Sequence, residues 1–170
     1  MEASPVAAGE YTGMLTITRD DNRMSSTSLE MEDLSGTTLR RTLSLGPECD
    51  LAGDVCTASS ESLGPSAVLA GDGSIWETPL VVAEATADSW TATFTEEFDD
   101  DCVELDGTLV GTFHTTATTA VTLSRPGDDG TGTLMWMDAH VSYREDSVGS
   151  SEAAGCYTAN YAVDGTLTRP

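Results

Sequence analysis

The sequence contains no lysine and no glutamine, and its seven basic residues are all arginines. They are opposed by 29 aspartates and glutamates, which gives a formal net charge of −22 at pH 7. Nucleic-acid binding requires clustered Lys and Arg side chains against the phosphates. Attraction to an anionic membrane surface requires the same clusters. The composition therefore excludes both classes of partner.

Aromatic residues make up only 6% of the 170 residues, and no apolar run approaches the length of a membrane-spanning helix, which needs about 20 residues. We expect no transmembrane segment. The length suits one domain. We interpret residues 1–9 as a flexible N-terminal tether and residues 10–170 as a single β domain. The carboxylates are spread along the chain, which favours solubility or adaptation to high salt over recognition of a cation or a basic partner.

No window shows a helical period, whereas threonine, valine, leucine and aromatic residues alternate with polar ones between Gly, Asp and Asn turns. This pattern predicts an all-β fold of about nine to ten antiparallel strands. They would form an up-and-down barrel or a strongly curled sandwich, with two disulfides. Closing the sheet removes exposed edges, which favours the barrel.

The sequence pattern indicates some of these strands more clearly than others. We predict a strand at Met24–Glu32 and a looped section after Leu45 that lasts until Ala67. Gly107–Leu123 is predicted to be one long strand, or two strands joined by a bend near Thr115. In Thr37–Leu45, Arg41 falls on the apolar face, which predicts a bulge or a buried ion pair. The clearest alternation places a run of inward apolar residues on one strand face: Trp90, Ala92, Phe94 and Phe98.

The four cysteines form an even set in a Thr-rich and Gly-rich chain, which is typical of disulfides in an oxidising compartment. Of the three pairings we favour Cys49–Cys56 and Cys102–Cys156. Zinc ligation is the alternative, but the close ligand pairs that it requires do not occur. The opening Met1-Glu2-Ala3-Ser4-Pro5 lacks a charged n-region and an apolar h-region. We therefore expect an exported mature segment whose signal is absent from this sequence.

Two groups of residues are candidates for binding a ligand or a metal ion. Trp136, Asp138 and His140 share one strand face and form a candidate ligand pocket, in which Asp138 orients the imidazole. The alternative is that Met135, Met137, Ala139, Val141 and Tyr143 form the buried face and leave the first three outside.

The second group is a carboxylate-dense turn whose candidate calcium ligands are Asp99, Asp101, Glu104 and Asp106. Calcium takes six to eight oxygen ligands. The alternative is a solvated acidic loop, and we expect no cofactor other than this calcium.

The sequence offers no catalytic residue that we would single out. No Gly-x-Ser-x-Gly motif occurs, and the cysteines are expected to be oxidised. A hydrolase with paired carboxylates remains an alternative, since 29 acids form many pairs.

Several short motifs resemble the small secreted lipoproteins and extracytoplasmic β-domains of high-GC bacteria, especially actinobacteria. They are Gly9-Glu10-Tyr11-Thr12-Gly13, the Cys49 and Cys56 pair, Trp90 with Cys102, Asp106 to Thr112, and Gly155-Cys156 to Arg169. The resemblance implies an exported compartment and a β fold, and no particular activity. The hairpin motif from Asp106 to Phe113 is also similar to avidin-type and lipocalin-like barrels, although the tryptophan-lined biotin pocket has no counterpart here.

Our leading interpretation is a non-enzymatic, exported, acidic β-domain that acts as a binding or structural interaction module at the bacterial cell surface or in an extracellular assembly. Its partner would be a protein or a small-molecule ligand. The alternatives are a lipocalin-like carrier with a barrel cavity and a carboxylate-dependent hydrolase.

Overall fold

The computed structural model describes residues 4–20, 23–24, 34–63, 74–103, 106–149, 157–158 and 160–170. In this part of the chain there are ten strands and one short 3-10 helix, Pro47–Asp50, and no helix is long and apolar enough to cross a membrane. The strands are β1 Gly9–Asp20, β2 Arg23–Met24, β3 Thr38–Leu45, β4 Val55–Glu61, β5 Ile75–Ala85, β6 Trp90–Val103, β7 Leu109–Asp128, β8 Leu134–Gly149, β9 Tyr157–Thr158 and β10 Tyr161–Thr168.

Eight of these strands form a closed antiparallel barrel, in the order β1-β10-β8-β7-β6-β5-β4-β3. Apart from β2 and β9, which pair only with each other, each strand pairs with its neighbours in the chain, and β10 pairs with β1 to close the barrel. The predicted all-β antiparallel barrel with up-and-down order is confirmed. The predicted nine to ten strands are too many for the barrel, which has eight.

The differences in strand count have local causes. The predicted loop from Leu45 to Ala67 contains β4, whose inward residues Cys56, Ala58 and Ser60 are too small to give an apolar alternation signal. β7 is one continuous strand through Thr115, which is the first of the two predicted alternatives. Of the strand predicted at Met24–Glu32, Met24 belongs to the two-residue β2, and residues 25–33 lie outside the described part.

The inward faces follow the alternation that the sequence shows. In β1 the fully buried side chains are Tyr11, Leu15 and Ile17, and in β6 they are Trp90 and Ala92. Arg41 faces the same interior as Leu43 and Leu45 and is 8% exposed. Its register with β1 is unbroken, so the structure has the buried ion pair rather than the bulge.

One end of the barrel is closed by the 3-10 helix and a disulfide. Cys49 and Cys56 are bonded and fully buried, which confirms the first predicted pairing. The indole Nε1 of Trp90 donates a hydrogen bond of 2.6 Å to the carbonyl of Cys49, so the helix is tied to the first residue of β6. The second predicted pairing, Cys102–Cys156, lies outside the side chains that the structure describes.

The N-terminal segment also packs against this closed end. The amide of Val6 donates to the Leu134 carbonyl at 2.9 Å, and the Trp136 amide donates to the Val6 carbonyl at 3.0 Å. Ala7 is fully buried, and its amide donates to the carboxylate of Asp50 in the 3-10 helix. Residues 6–8, part of the segment predicted to be a tether, therefore contact β8 and the 3-10 helix.

Arg169 joins this segment to the last strand. Its Nη2 lies 3.0, 3.3 and 2.9 Å from the carbonyl oxygens of Val6, Ala7 and Ala8, and its Nε donates to the Trp136 carbonyl. The guanidinium stacks over Tyr11, 4.6 Å from the ring centroid, and donates to its hydroxyl at 2.9 Å. Burial raises the pKa of Tyr11 to about 12, although the Arg169 charge and hydrogen bond oppose the rise.

Gly9 makes room for this arginine. A Cβ atom at this position would lie 2.1 Å from Arg169 Nη1, and the backbone φ of +137° is one that side-chain-bearing residues rarely adopt. The tight approach of β1 to the guanidinium therefore requires glycine.

At the opposite end, which we call the splayed end, two strand pairs separate. β3 and β4 pair only through Ser44 with Ser59 and Leu45 with Ala58 among the described residues. β5 and β6 pair from Ala85 with Trp90 to Val81 with Thr93. β4 and β5 stay paired with each other up to Glu61 and Ile75. This hairpin is therefore bonded to its neighbours β3 and β6 mainly near the closed end.

We predict that Arg169→Met destabilises the fold by about 3 kcal/mol, because buried carbonyls lose a charged donor. For a domain of this size the melting temperature should fall by about 6–12 °C. Urea unfolding and calorimetry measure both quantities.

The matched control is Arg125→Gln. Arg125 pairs with Asp138, and its side chain is 62% exposed, so its loss should cost less than about 1 kcal/mol. Equal effects of the two substitutions would contradict the role assigned to Arg169.

Candidate functional site at the splayed end

The seam between β3 and β4 is held by the side chain of Arg41 where the backbone ladder stops. Three residues beyond the Ser44–Ser59 pair, the register would place Arg41 opposite Ser62. Instead, Arg41 Nε donates to the Ser62 carbonyl at 3.3 Å, and Nη1 donates to the Arg40 carbonyl at 2.8 Å. The guanidinium thus bonds one carbonyl on each side of the seam, beyond the last paired residues of β3 and β4.

Glu61 completes this seam from β4. Its Oε2 accepts a hydrogen bond of 3.0 Å from Arg41 Nη1. The Arg41 side chain is 8% exposed and that of Glu61 is 45% exposed, so the pair bridges the interior and the solvent. Glu61 offsets the charge of the guanidinium from a half-exposed position, where solvent also screens that charge.

A cleft of about 380 Å³ opens at this seam. Its wall is formed by the two strand edges and the first residue of β5, and the lining residues are Arg40, Arg41, Thr42, Glu61 and Ile75. Ile75 is 64% exposed and gives the cleft an apolar side. The lining therefore includes the ion pair of Arg41 with Glu61 and an exposed isoleucine side chain.

The inner surface of the long strands at the splayed end is also polar. Glu96 in β6 pairs in register with Ala117, Ala117 with Glu145, and Glu145 with Tyr161. Two residues before Glu145 in β8, the Tyr143 hydroxyl donates a hydrogen bond to the Glu145 carboxylate. Burial, this hydrogen bond and the charges of Glu145 and Glu96 raise the pKa of Tyr143 well above its ordinary value, so the phenol stays protonated at neutral pH.

The structure places the three predicted pocket residues in different environments. Trp136 is 2% exposed and packs in the core, and no described atom accepts a hydrogen bond from its Nε1. Asp138 accepts two hydrogen bonds from Arg125, at 2.9 and 3.0 Å. His140 is exposed, with Nδ1 3.4 Å from the Thr166 hydroxyl.

This divergence has a backbone cause. The β7–β8 ladder skips the pair of Arg125 and Met137, and Arg125 has a φ of +57°. After this point in β8 the buried side chains are the odd-numbered Ala139 and Val141, whereas before it the buried side chain is the even-numbered Trp136. Strict alternation in the sequence carries no sign of this change.

The predicted calcium ligands are engaged in local hydrogen bonds. Asp99 Oδ1 lies 2.8 Å from His114 Nδ1, and Asp99, followed by Glu97, raises the pKa of that histidine. Asp101 accepts from the Thr112 hydroxyl at 3.2 Å. Asp106 accepts from the Thr108 amide at 2.9 Å, and its hydrogen bonds with Thr108 lower its pKa.

Glu104, the fourth predicted ligand, lies outside the described residues. In the ranges that the structure describes, no three His, Cys, Asp or Glu side chains converge as a metal site would require. The calcium site stays a prediction.

The sequence identifies Arg41 as unusual, but not Arg40, Glu61 or Ile75 as its neighbours. A charged residue on an apolar strand face signals that some counter-charge must approach it. With 29 acids in the chain, that signal selects none of them. The pairing of β4 with β3, which brings Glu61 close, depends on a strand that the alternation does not reveal.

Comparisons with known proteins do not add a family to this geometry. Family models, curated proteins and solved structures were searched, and none of them matches this chain.

We predict unequal costs for the two members of the seam. Arg41→Met leaves the Arg40 and Ser62 carbonyls without their donor and should lower the free energy of unfolding by about 1–3 kcal/mol. Glu61→Gln keeps an acceptor for Arg41 Nη1 at a half-exposed position and should cost less than about 1 kcal/mol. Urea unfolding of both variants tests the difference. A cost for Glu61→Gln as large as that for Arg41→Met would show that the ion pair, and not the carbonyl contacts, holds the seam.

Proposed function

We propose that this chain is an exported, non-enzymatic binding domain that takes up a small ligand in the cleft between β3 and β4. The observation that carries the proposal is the difference between the two barrel ends. The closed end is filled by the N-terminal segment, the disulfide and Arg169. The splayed end separates around a buried arginine that lines a cleft.

The dimensions of the barrel support a small ligand rather than a channel. An eight-stranded barrel is just wide enough to be filled by its own side chains or to hold one small molecule. The cleft volume of about 380 Å³ lies within the range of about 300–1,000 Å³ that is usual for small-molecule sites. Charged groups on the floor and hydrocarbon on one wall are the combination by which such sites orient a ligand.

The proposed compartment is the bacterial cell surface or an extracellular assembly. The buried Cys49–Cys56 disulfide supports export, because disulfides persist in oxidising compartments. The resemblance of several short motifs to actinobacterial secreted lipoproteins favours the same placement. We further propose the second disulfide, Cys102–Cys156, which would tie β6 to the segment before β9.

A thiol count tests the two disulfides together. We expect the denatured, unreduced protein to show no reactive thiols and the reduced protein to show four, which is the number of cysteines in the chain. Two reactive thiols before reduction would disprove the Cys102–Cys156 bond and leave Cys49–Cys56 in place. Four would remove the main support for export.

Blocking the cleft tests the binding function. We expect a metabolite library, screened by ligand-observed NMR, to yield a ligand of the wild-type protein. Ile75→Trp should abolish its binding, because the larger side chain fills the exposed side of the cleft. The melting temperature of the variant should stay close to that of the wild type, since Ile75 is 64% exposed.

Val81→Trp is the matched control, on the same strand and also exposed, at 48%. It should keep the binding because it pairs with Val55 near the closed end. A screen without ligands, or a ligand lost equally in both variants, would overturn the proposed site.

A further inference from the structure

We infer that β6 binds an extended, cationic segment of a partner protein by antiparallel strand addition. The segment pairs with the edge of β6 that faces β5 at the splayed end, and we call this edge, residues 95–101, the open edge. It lies on a different seam from the cleft between β3 and β4, so the inference goes beyond the proposed function.

The backbone ladder of β6 continues on one side and stops on the other. β6 pairs with β7 from Trp90 to Val103. Among the described residues it pairs with β5 only from Trp90 to Thr93. The open edge therefore has a sheet neighbour on one side only in the described part of the chain. A row of backbone amides and carbonyls at such an edge is a template for another strand.

The direction of these backbone groups follows from the neighbouring strand. The Val82 amide and carbonyl bond Asp54 and Gly53, on the β4 side. Backbone groups alternate in direction along a strand, so those of Val81 point to β6 and those of its partner Thr93 point to β5. By the same alternation, the amides and carbonyls of residues 95, 97, 99 and 101 point into the seam between β5 and β6.

Two residues of β5 explain why this ladder stops. Continuing the observed register would place Pro79 opposite Thr95. Proline has no amide hydrogen to donate across the seam. The next pair on this face would set Glu77 against Glu97, and two carboxylates directly opposite each other repel. β5 is therefore a poor partner for the open edge.

The charges beside the open edge select its occupant. Glu97, Asp99 and Asp101 alternate along β6 on its outward face, and all three are exposed. Their side-chain hydrogen bonds go to His114 and Thr112, on the β7 side. A second copy of the chain would bring the same carboxylates against each other. A strand with Arg or Lys at every second position instead places a cation opposite each carboxylate.

The inward face of the open edge favours apolar side chains at the intervening positions. Phe98 lies on the same strand face as the buried Trp90 and Ala92, yet it is 37% exposed. A β-branched side chain opposite an aromatic one stabilises an antiparallel pair. The expected segment therefore alternates Arg or Lys with Val, Ile or Thr.

The capped peptide acetyl-Val-Arg-Val-Arg-Val-Arg-Val-amide tests the inference on the full chain. We expect it to bind at low ionic strength and to protect the amides of Thr95, Glu97 and Asp99 from hydrogen exchange. The amides of Glu96 and Phe98 point to β7 and should exchange slowly with or without the peptide. The same peptide with glutamate in place of arginine should bind at least about tenfold more weakly, because like charges repel.

Backbone methylation of the peptide separates strand addition from charge attraction alone. In antiparallel addition, the Arg residues lie opposite the residues that point into the seam, so their amides bond β6. Methylating the Arg nitrogens should weaken binding at least about tenfold, since these hydrogen bonds are lost. Methylating three of the Val nitrogens should weaken it less than about threefold, since these point away from β6. Equal effects of the two methylations would contradict strand addition.

Two double variants test the role of the carboxylates. Glu97→Gln with Asp99→Asn should weaken peptide binding about threefold to tenfold, because two pairs of opposite charge are lost. Glu84→Gln with Asp88→Asn is the matched control, since it removes the same charge from exposed positions near the closed end of the β5–β6 hairpin. Melting temperatures establish that both fold. Equal weakening by the two variants would show that only the overall charge matters, and would overturn the inference.

Other occupants of the open edge give different results. Slow exchange of the Thr95, Glu97 and Asp99 amides without the peptide would show that the edge is already covered, and would overturn the inference. Sedimentation would then identify the cover, since a dimer indicates a second copy and a monomer indicates another part of the same chain. Absence of peptide binding would also overturn it, and would leave the proposed ligand cleft between β3 and β4 to be judged by its own test.

Discussion

The contact of Arg169 with the N-terminal segment is the interaction on which the rest of the barrel depends. This one side chain, just after the last strand, bonds the carbonyls of Val6, Ala7 and Ala8 and the Tyr11 hydroxyl. It therefore holds the two ends of the chain together where β1 and β10 close the barrel. Because that end is fixed by buried hydrogen bonds, the strands at the other end can separate without opening the sheet as a whole.

Two arginines, the buried Arg41 and the partly buried Arg169, meet the same physical requirement in different ways. A guanidinium inside a protein must satisfy its donors and offset its charge. Arg169 does so with several carbonyls, a hydroxyl and an aromatic face. Arg41 uses two carbonyls and Glu61, which is partly in solvent. The first arrangement holds the N-terminal segment to the end of the last strand, whereas the second lies at the cleft to which we assign the proposed binding.

The acidic residues of the chain act mainly at its surface, where they lie among polar strand faces. Outward threonines join neighbouring strands, as in Thr12 with Thr42 at 2.9 Å and Thr95 with Thr118 at 3.2 Å. Carboxylates surround these polar faces and keep the protein solvated, at a cost in self-repulsion that salt reduces.

The sequence by itself determined the all-β class, the direction of most strand faces, the Cys49–Cys56 pair and the buried charge at Arg41, because period-two alternation and close cysteine spacing are local properties. It did not reveal β4, whose inward residues are small, or the burial of Trp136 beyond the skipped Arg125–Met137 pair. Only the tertiary structure decided which of many acids meets Arg41 and that β3 and β4 separate at that point. The physical reason is that a cleft forms where pairing between strands stops, and strand register across a barrel is a property of the closed sheet that no single segment encodes.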